Sequence, residues 1–263
     1  MQTLEQIAPP SLAIPGDPVG LQFGPIDPDI LSSRKIKRVA VCVSPTPKTI
    51  VHAAAKDANI LLTHRPLLLE PIRKLVGEYH NLIKLMVKNN LYHYAAHTNW
   101  SAAPNGINDT LLAVLGFSVD SILQFSFSGH EIPLGRICSV GRPMTLETLV
   151  RVVNDKLKQK HITYVGSPNT EVQKIAVVAG DGDNPLWIRK AKQQGADTYL
   201  TGETSLRLEQ LAQQHKINLI CAGHYATVYP GMRRLGQLIQ MEHAKIDIIT
   251  VEGEPASQTM YFL

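Results

Sequence analysis

Three histidine-bearing stretches carry most of the chemistry this chain can offer: Leu62-Thr63-His64-Arg65-Pro66, Ala96-His97-Thr98-Asn99-Trp100-Ser101 and Ala222-Gly223-His224-Tyr225-Ala226-Thr227-Val228. Imidazole nitrogens suit Zn, Fe, Co or Mn. Each stretch falls where an expected strand runs into a loop, the usual address for binding residues in an α/β domain. What stands near each histidine is unusual for a metal site: Arg65, Ser101 and Val228, none of which holds a hard divalent cation. His64 and His224 remain as candidate metal ligands, with His97 a third if its ring turns inward. Three histidines with an open position make a legitimate zinc arrangement. The competing reading is that the same rings hydrogen-bond backbone or water. Arg65 is a permanent cation, and beside neutral histidines it suits a bidentate grip on a phosphate or carboxylate.

Two acids belong with this group. Glu203, in Thr201-Gly202-Glu203, ends an expected strand and is a candidate acid for the same cleft, or the start of a helix. Asp17 is a candidate cleft residue, or the cap of a turn before Pro18. The run Ala179-Gly180-Asp181-Gly182-Asp183-Asn184-Pro185 lacks the Gly-Lys-Ser/Thr of a phosphate loop, and its aspartates repel phosphate. It reads as a tight turn, with Asn184 capping a helix that has Pro185 at its first position. Asn108-Asp109 reads as a helix start whose side chains satisfy free backbone donors. The remaining histidines (His52, His80, His93, His130, His161, His215 and His243) read as surface or packing residues. Cys42, Cys138 and Cys221 read as buried reduced thiols without a disulfide framework.

The composition sets the background. A chain of 263 residues with 44% apolar and 18% charged residues is an ordinary globular composition with room for one large or two modest domains. A net charge of +4, with both signs interspersed, argues against nucleic acid, which needs a basic stripe. The densest basic run, Arg34-Lys35-Ile36-Lys37-Arg38, reads as a solvated strand entry. The N-terminus carries an acid and early prolines, unlike a secretory signal. No apolar run approaches the roughly 18 residues of a membrane span, so a cytoplasmic protein is expected.

The elements that must position these residues alternate. Strands are expected at 37–43, 59–63, 91–96, 162–165, 173–179, 198–200, 218–222 and 247–251. Helices are expected at 48–57, 78–89, 106–115 (ending at Gly116), 146–158, 187–194, 205–214 and 232–240. This alternation builds sheets covered by helices, so the expected fold is α/β, two interlocked units with mixed sheets. For His224 to meet His64 and His97, the chain must return late to the first unit. Residues 1–127 plus 222–263 then form a discontinuous first domain carrying the cleft, and 128–221 a second, inserted one.

Five segments in order resemble the Nif-three-like dinuclear-metal family, also known as GTP cyclohydrolase 1 type 2 homologues. They are Asp17-Pro18-Val19-Gly20-Leu21-Gln22-Phe23-Gly24, Leu62 to Pro66, His97-Thr98-Asn99 with the Ala102-Ala103-Pro104 and Gly106-Ile107-Asn108-Asp109 runs, Ala196 to Glu203, and Ala222 to Thr227. The resemblance implies two divalent metals in a cleft, able to activate water, and a ring-like homohexamer. The ligands it implies are a His-His pair, an Asp two residues after His-Thr-Asn, and a His-x-x-x-Glu segment. Carried over, His64 and His224 match, whereas Arg65, Ser101 and Val228 stand at three of the ligand positions. A cation ~4 Å from the guanidinium is repelled by a few kcal/mol even at high effective dielectric. A two-metal centre is therefore not expected, and the cofactor expectation is none, or one weakly bound Zn, Fe, Co or Mn ion. Two functions stay open: a non-catalytic or regulatory homo-oligomer whose cleft holds a small anion or a partner protein's side chain, and a cyclohydrolase-type or phosphoesterase-type hydrolase using one metal.

Overall fold

The computed structural model describes residues 1–27 and 35–252; Arg34 of the basic run lies outside them. Two sheets organise the molecule. The first has five strands in the order β1 (Gly20–Phe23), β4 (Tyr92–Ala95), β3 (Ile60–Thr63), β2 (Arg38–Cys42) and β11 (Asp247–Thr250). All are parallel except β1, which runs antiparallel to β4. The second has six strands in the order β5 (Ser121–Phe127), β6 (His130–Thr145), β8 (Glu171–Val178), β9 (Thr198–Thr201), β10 (Asn218–Cys221) and β7 (Thr163–Val165). Its β8, β9 and β10 are parallel, and antiparallel partners close its edges.

Apolar runs such as Val39-Ala40-Val41-Cys42 are buried on both faces, as parallel strands covered by helices must be. The helices are α1 (Gln2–Ile7), α2 (Pro47–Ala55), α3 (Gly77–Lys88), α4 (Thr98–Ala102), α5 (Ile107–Leu115), α6 (Leu146–Leu157), α7 (Pro185–Gln193), α8 (Leu206–Gln214) and α9 (His224–Glu242). The largest buried cluster is shared between the sheets: Val41 and Leu62 from one, Ile175, Leu200 and Ile220 from the other, with Val228, Met232 and Leu235 of α9. Among the described residues no helix is long and apolar enough to cross a membrane.

Several expectations need correction. Sheet membership changes at Ser121, not at 128, because β5 pairs with β6 across a hairpin and leaves the first sheet altogether. Helix α9 begins at His224 rather than 232; Pro230 lies inside it, and Gly231 lets it close on α5. Helix α5 begins at Ile107 with Gly106 at its N-cap and no side-chain cap. Asn108 and Asp109 bond elsewhere. Asp109 accepts from the Asn105 amide (2.6 Å) and pairs with the buried Arg136. Cys42 and Cys138 are buried, and burial pushes both thiols up to about 12. Cys221 is only half-buried; it ends β10, with its thiol donating to the Gly202 carbonyl (3.0 Å). Asn184 does cap α7, accepting from the Leu186 amide (2.9 Å), with Pro185 following.

Candidate functional site

The parallel strands of both sheets end at one place. His64 follows β3, His97 lies two residues beyond β4, Glu203 two beyond β9, and His224 three beyond β10 as the first residue of α9. The three histidines meet there: the His64 ring centroid is 4.9 Å from that of His97 and 6.2 Å from that of His224, both edge-on. The close approach depends on missing side chains. A Cβ on Gly202 would stand 2.9 Å from the His224 Cα, and one on Gly180 3.3 Å from its Cε1.

Each ring is held by one nitrogen. His64 Nε2 lies 3.0 Å from Ser101 Oγ, whose hydroxyl also lies 3.2 Å from the His97 carbonyl. With the hydroxyl proton directed to that carbonyl, Nε2–H donates to Ser101 and the lone pair falls on Nδ1. His97 Nδ1 is bonded to Asp17 Oδ1 (2.8 Å), and His224 Nδ1 to Glu203 Oε1. Asp17 also accepts from the Thr98 amide (3.1 Å) and hydroxyl, so it bridges the N-terminal segment to α4 rather than capping a turn before Pro18. Glu203 is not a helix start either; Ser205 caps α8. Two ring nitrogens, His64 Nδ1 and His224 Nε2, are sealed from solvent and have no hydrogen-bond partner.

The electrostatics follow from this packing. His64, 4% exposed, is held well below the ordinary imidazole range by burial first, then by His97, His224 and Arg65. It is neutral. Burial pushes the Asp17 carboxyl up, but hydrogen bonds from His97 and Thr98 outweigh it and leave it below the usual value. The His224 hydrogen bond holds Glu203 down against burial, and Arg65 adds to the effect. Arg65 is half-buried and makes no side-chain hydrogen bond among the described residues, yet its charge is felt by both His64 and Glu203.

The candidates from the sequence are thus gathered at the C-terminal ends of the parallel strands, but the residues present do not fit a dinuclear centre. The Arg65 guanidinium is a cation, Ser101 is engaged with His64, and Val228 is fully buried in the shared core, its Cγ2 facing Gly180. Asp17 and Glu203 grip the outer nitrogens of His97 and His224. Among the described residues no group of three or more His, Cys, Asp or Glu is arranged to hold a metal. Sequence reasoning passed over Thr98, Gly180 and Gly202 as site-shaping residues. Their signal was present as small or hydroxyl residues directly after strands, which is also how ordinary turns look.

The comparisons agree with this architecture. The chain is 28% identical over 262 residues to a GTP cyclohydrolase 1 type 2 homolog of Clostridium perfringens, covering 99% of this chain and 97% of that one. It is 31% identical over 216 residues to the protein of that name from a Nostoc species, covering 80% and 79%. A Staphylococcus aureus crystal structure superposes with a TM-score of 0.85 at 23% identity, covering 99% of this chain and 97% of the other. The description Duf34/NIF3 (NGG1p interacting factor 3) matches residues 1–256, and the chain belongs to that family.

Proposed function

We propose that this protein is a non-catalytic or regulatory, cleft-binding member of its family, acting in the cytoplasm as a homo-oligomer. The observation that carries the reading is the employment of both cleft carboxylates as ring holders: Asp17 on His97 and Glu203 on His224. A carboxylate that holds a ring is not free to ligate a cation, and the positions at Arg65, Ser101 and Val228 supply no other anionic ligand. Arg65 instead offers a half-buried cation whose charge is felt at His64 and Glu203, suited to a phosphate or carboxylate on a small ligand. A homohexameric ring is the assembly proposed, and sedimentation of the native protein measures it.

Titration with inorganic phosphate and with phosphate monoesters tests the reading, followed by thermal shift and calorimetry. Binding that Arg65→Met abolishes, with the monoester recovered intact, is the expected result. The second reading is a one-metal hydrolase, favoured by the half-exposed Glu203 beside His224. Monoester hydrolysis that requires added Zn or Mn and vanishes in Glu203→Gln would establish that enzyme and remove the non-catalytic reading.

A further inference from the structure

Arg65 makes no side-chain hydrogen bond among the described residues, so its backbone alone aims the long side chain. Three restraints fix that backbone. The Arg65 amide donates to the Val43 carbonyl (2.9 Å). Pro66 follows, and a proline keeps the residue before it extended. The third restraint is the Thr63 hydroxyl, 2.6 Å from the Arg65 carbonyl. The same hydroxyl lies 2.7 Å from His93 Nε2. Thr63 ends β3 and His93 lies in β4, and both are fully buried.

The protons in this chain of contacts can be assigned. A carbonyl only accepts, so the single hydroxyl proton of Thr63 goes to Arg65. The hydroxyl oxygen then accepts from His93 Nε2–H, and the lone pair of the ring falls on Nδ1. That nitrogen is sealed from solvent and has no partner. In the other tautomer Nδ1–H would be a buried donor facing nothing, and Nε2 would compete with the Arg65 carbonyl for the hydroxyl proton. One hydrogen bond fewer would be made. Burial lowers the pKa of His93 to about 3, so the ring is neutral at pH 7 and one tautomer is expected.

We infer that Thr63 and His93 are positioning residues for the anion site: His93 orients the Thr63 hydroxyl, and the hydroxyl holds the Arg65 backbone so that the guanidinium meets a phosphate or carboxylate. The inference rests on the anion-binding reading above and names what keeps its cation in place. A binding group must be held within about 0.5 Å of its productive position, and buried hydrogen bonds behind it do the holding. Neither residue touches the ligand; both act through Arg65. The neighbouring His64 ring is held from the other side, by Ser101, so the two parts of the site have separate supports.

Phosphate affinity, measured by calorimetry at fixed ionic strength, is the first readout. Thr63→Val, which removes the hydroxyl and nearly keeps the volume, should weaken binding about 3–10-fold, the worth of one hydrogen bond. His93→Leu should lose a similar factor. Thr63→Ser keeps a hydroxyl and His93→Gln keeps a donor, so both should stay within about twofold of the parent. Circular dichroism checks the fold of each variant. Unchanged affinity in folded Thr63→Val, or equal losses in Thr63→Ser and Thr63→Val, overturns the inference. The second readout needs neither variant nor ligand. In the 15N imidazole spectrum of the parent protein at pH 7, His93 should carry its proton on Nε2 and leave Nδ1 bare. The opposite tautomer overturns the inference even where Thr63→Val does not fold. A parent protein that binds no phosphate removes the functional reading itself. Phosphate binding that is indifferent to Thr63 leaves that reading standing and removes only the positioning role.

Discussion

At the scale of single residues, this site depends on how each histidine is held. Ser101 lies 6% exposed with its hydroxyl on His64. Ser101→Ala would leave both nitrogens of a buried ring without partners, and a loss of about 1–3 kcal/mol in urea unfolding at pH 7 is expected. Ser101→Thr, which keeps the hydroxyl, should lose less; equal losses would mean that packing rather than the hydrogen bond matters. His93 makes a second residue-level prediction. It is fully buried against the Thr63 hydroxyl (2.7 Å), and burial lowers its pKa from 6.5 to about 3. Between those two values the unfolded chain takes up a proton that the folded chain refuses. Stability is therefore complete above pH 6.5 and falls as the pH drops towards 3, by up to about 1.4 kcal/mol per pH unit. His64 is shifted in the same direction. Measured at pH 7.5 and 5.5, His93→Gln should narrow the stability gap of the parent protein by about 1 kcal/mol; an unchanged gap would exclude His93 as a source of acid sensitivity. The sequence singled out His64, His97, His224 and Arg65 as one group, with Asp17 and Glu203 as candidates beside it. It did not reveal that Asp17 and Glu203 act on the rings rather than on a ligand, because hydrogen-bond direction depends on contacts 80 and 21 residues apart.

At the scale of elements, the strand and helix pattern was legible wherever apolar periodicity was long, as in β2, α2, β3 and α5. It failed at the start of α9, where Gly223, Pro230 and Gly231 look like loop residues. There tertiary contact overrides propensity. Gly231 lies against Ile107, and its carbonyl accepts from the indole of the fully buried Trp100 (3.1 Å). A Cβ at 231 would come within 2.6 Å of the Ile107 Cδ1 and 2.7 Å of its Cα, and backbone cannot swing aside as a side-chain tip can. Gly231→Ala should therefore destabilise by about 1–3 kcal/mol through overpacking, although alanine is the better helix former. Denaturant midpoints decide it: a stabilised variant would mean that α9 and α5 slip apart freely, and that His224 is not fixed by the packing of its helix. Strand β5 was not among the expected strands, for a related reason. Which sheet a strand joins is set by a hydrogen-bonded partner, here β6, rather than by its own residues.

At the scale of the whole molecule, the histidine cluster lies where two sheets meet, and buried side chains span that meeting, Arg136 and Asn108 among them. The fully buried Asn108 donates to the carbonyls of Ser101 (3.0 Å) and Leu134 (2.6 Å) and accepts from the Ala179 amide (2.8 Å). Ser101 holds His64, and Ala179 leads into Gly180 beneath His224, so Asn108 sets the two walls against each other. With a core cluster shared between both sheets, the molecule should unfold as one cooperative unit. Trp100 on α4 and Trp187 on α7, stacked on Phe125 at 4.8 Å, report the two halves separately. In Trp187→Phe the emission of Trp100 follows the cleft half, while far-UV circular dichroism follows the whole. These transitions should coincide. Adding Asn108→Leu keeps the volume but leaves three buried backbone groups unpaired, at a loss of about 3 kcal/mol or more. The two transitions should then separate, with the Trp100 signal moving first, because the cleft walls lose their common anchor. If they move together, the apolar core alone couples the sheets. The cleft would then be a consequence of packing, and its geometry would survive the loss of Asn108.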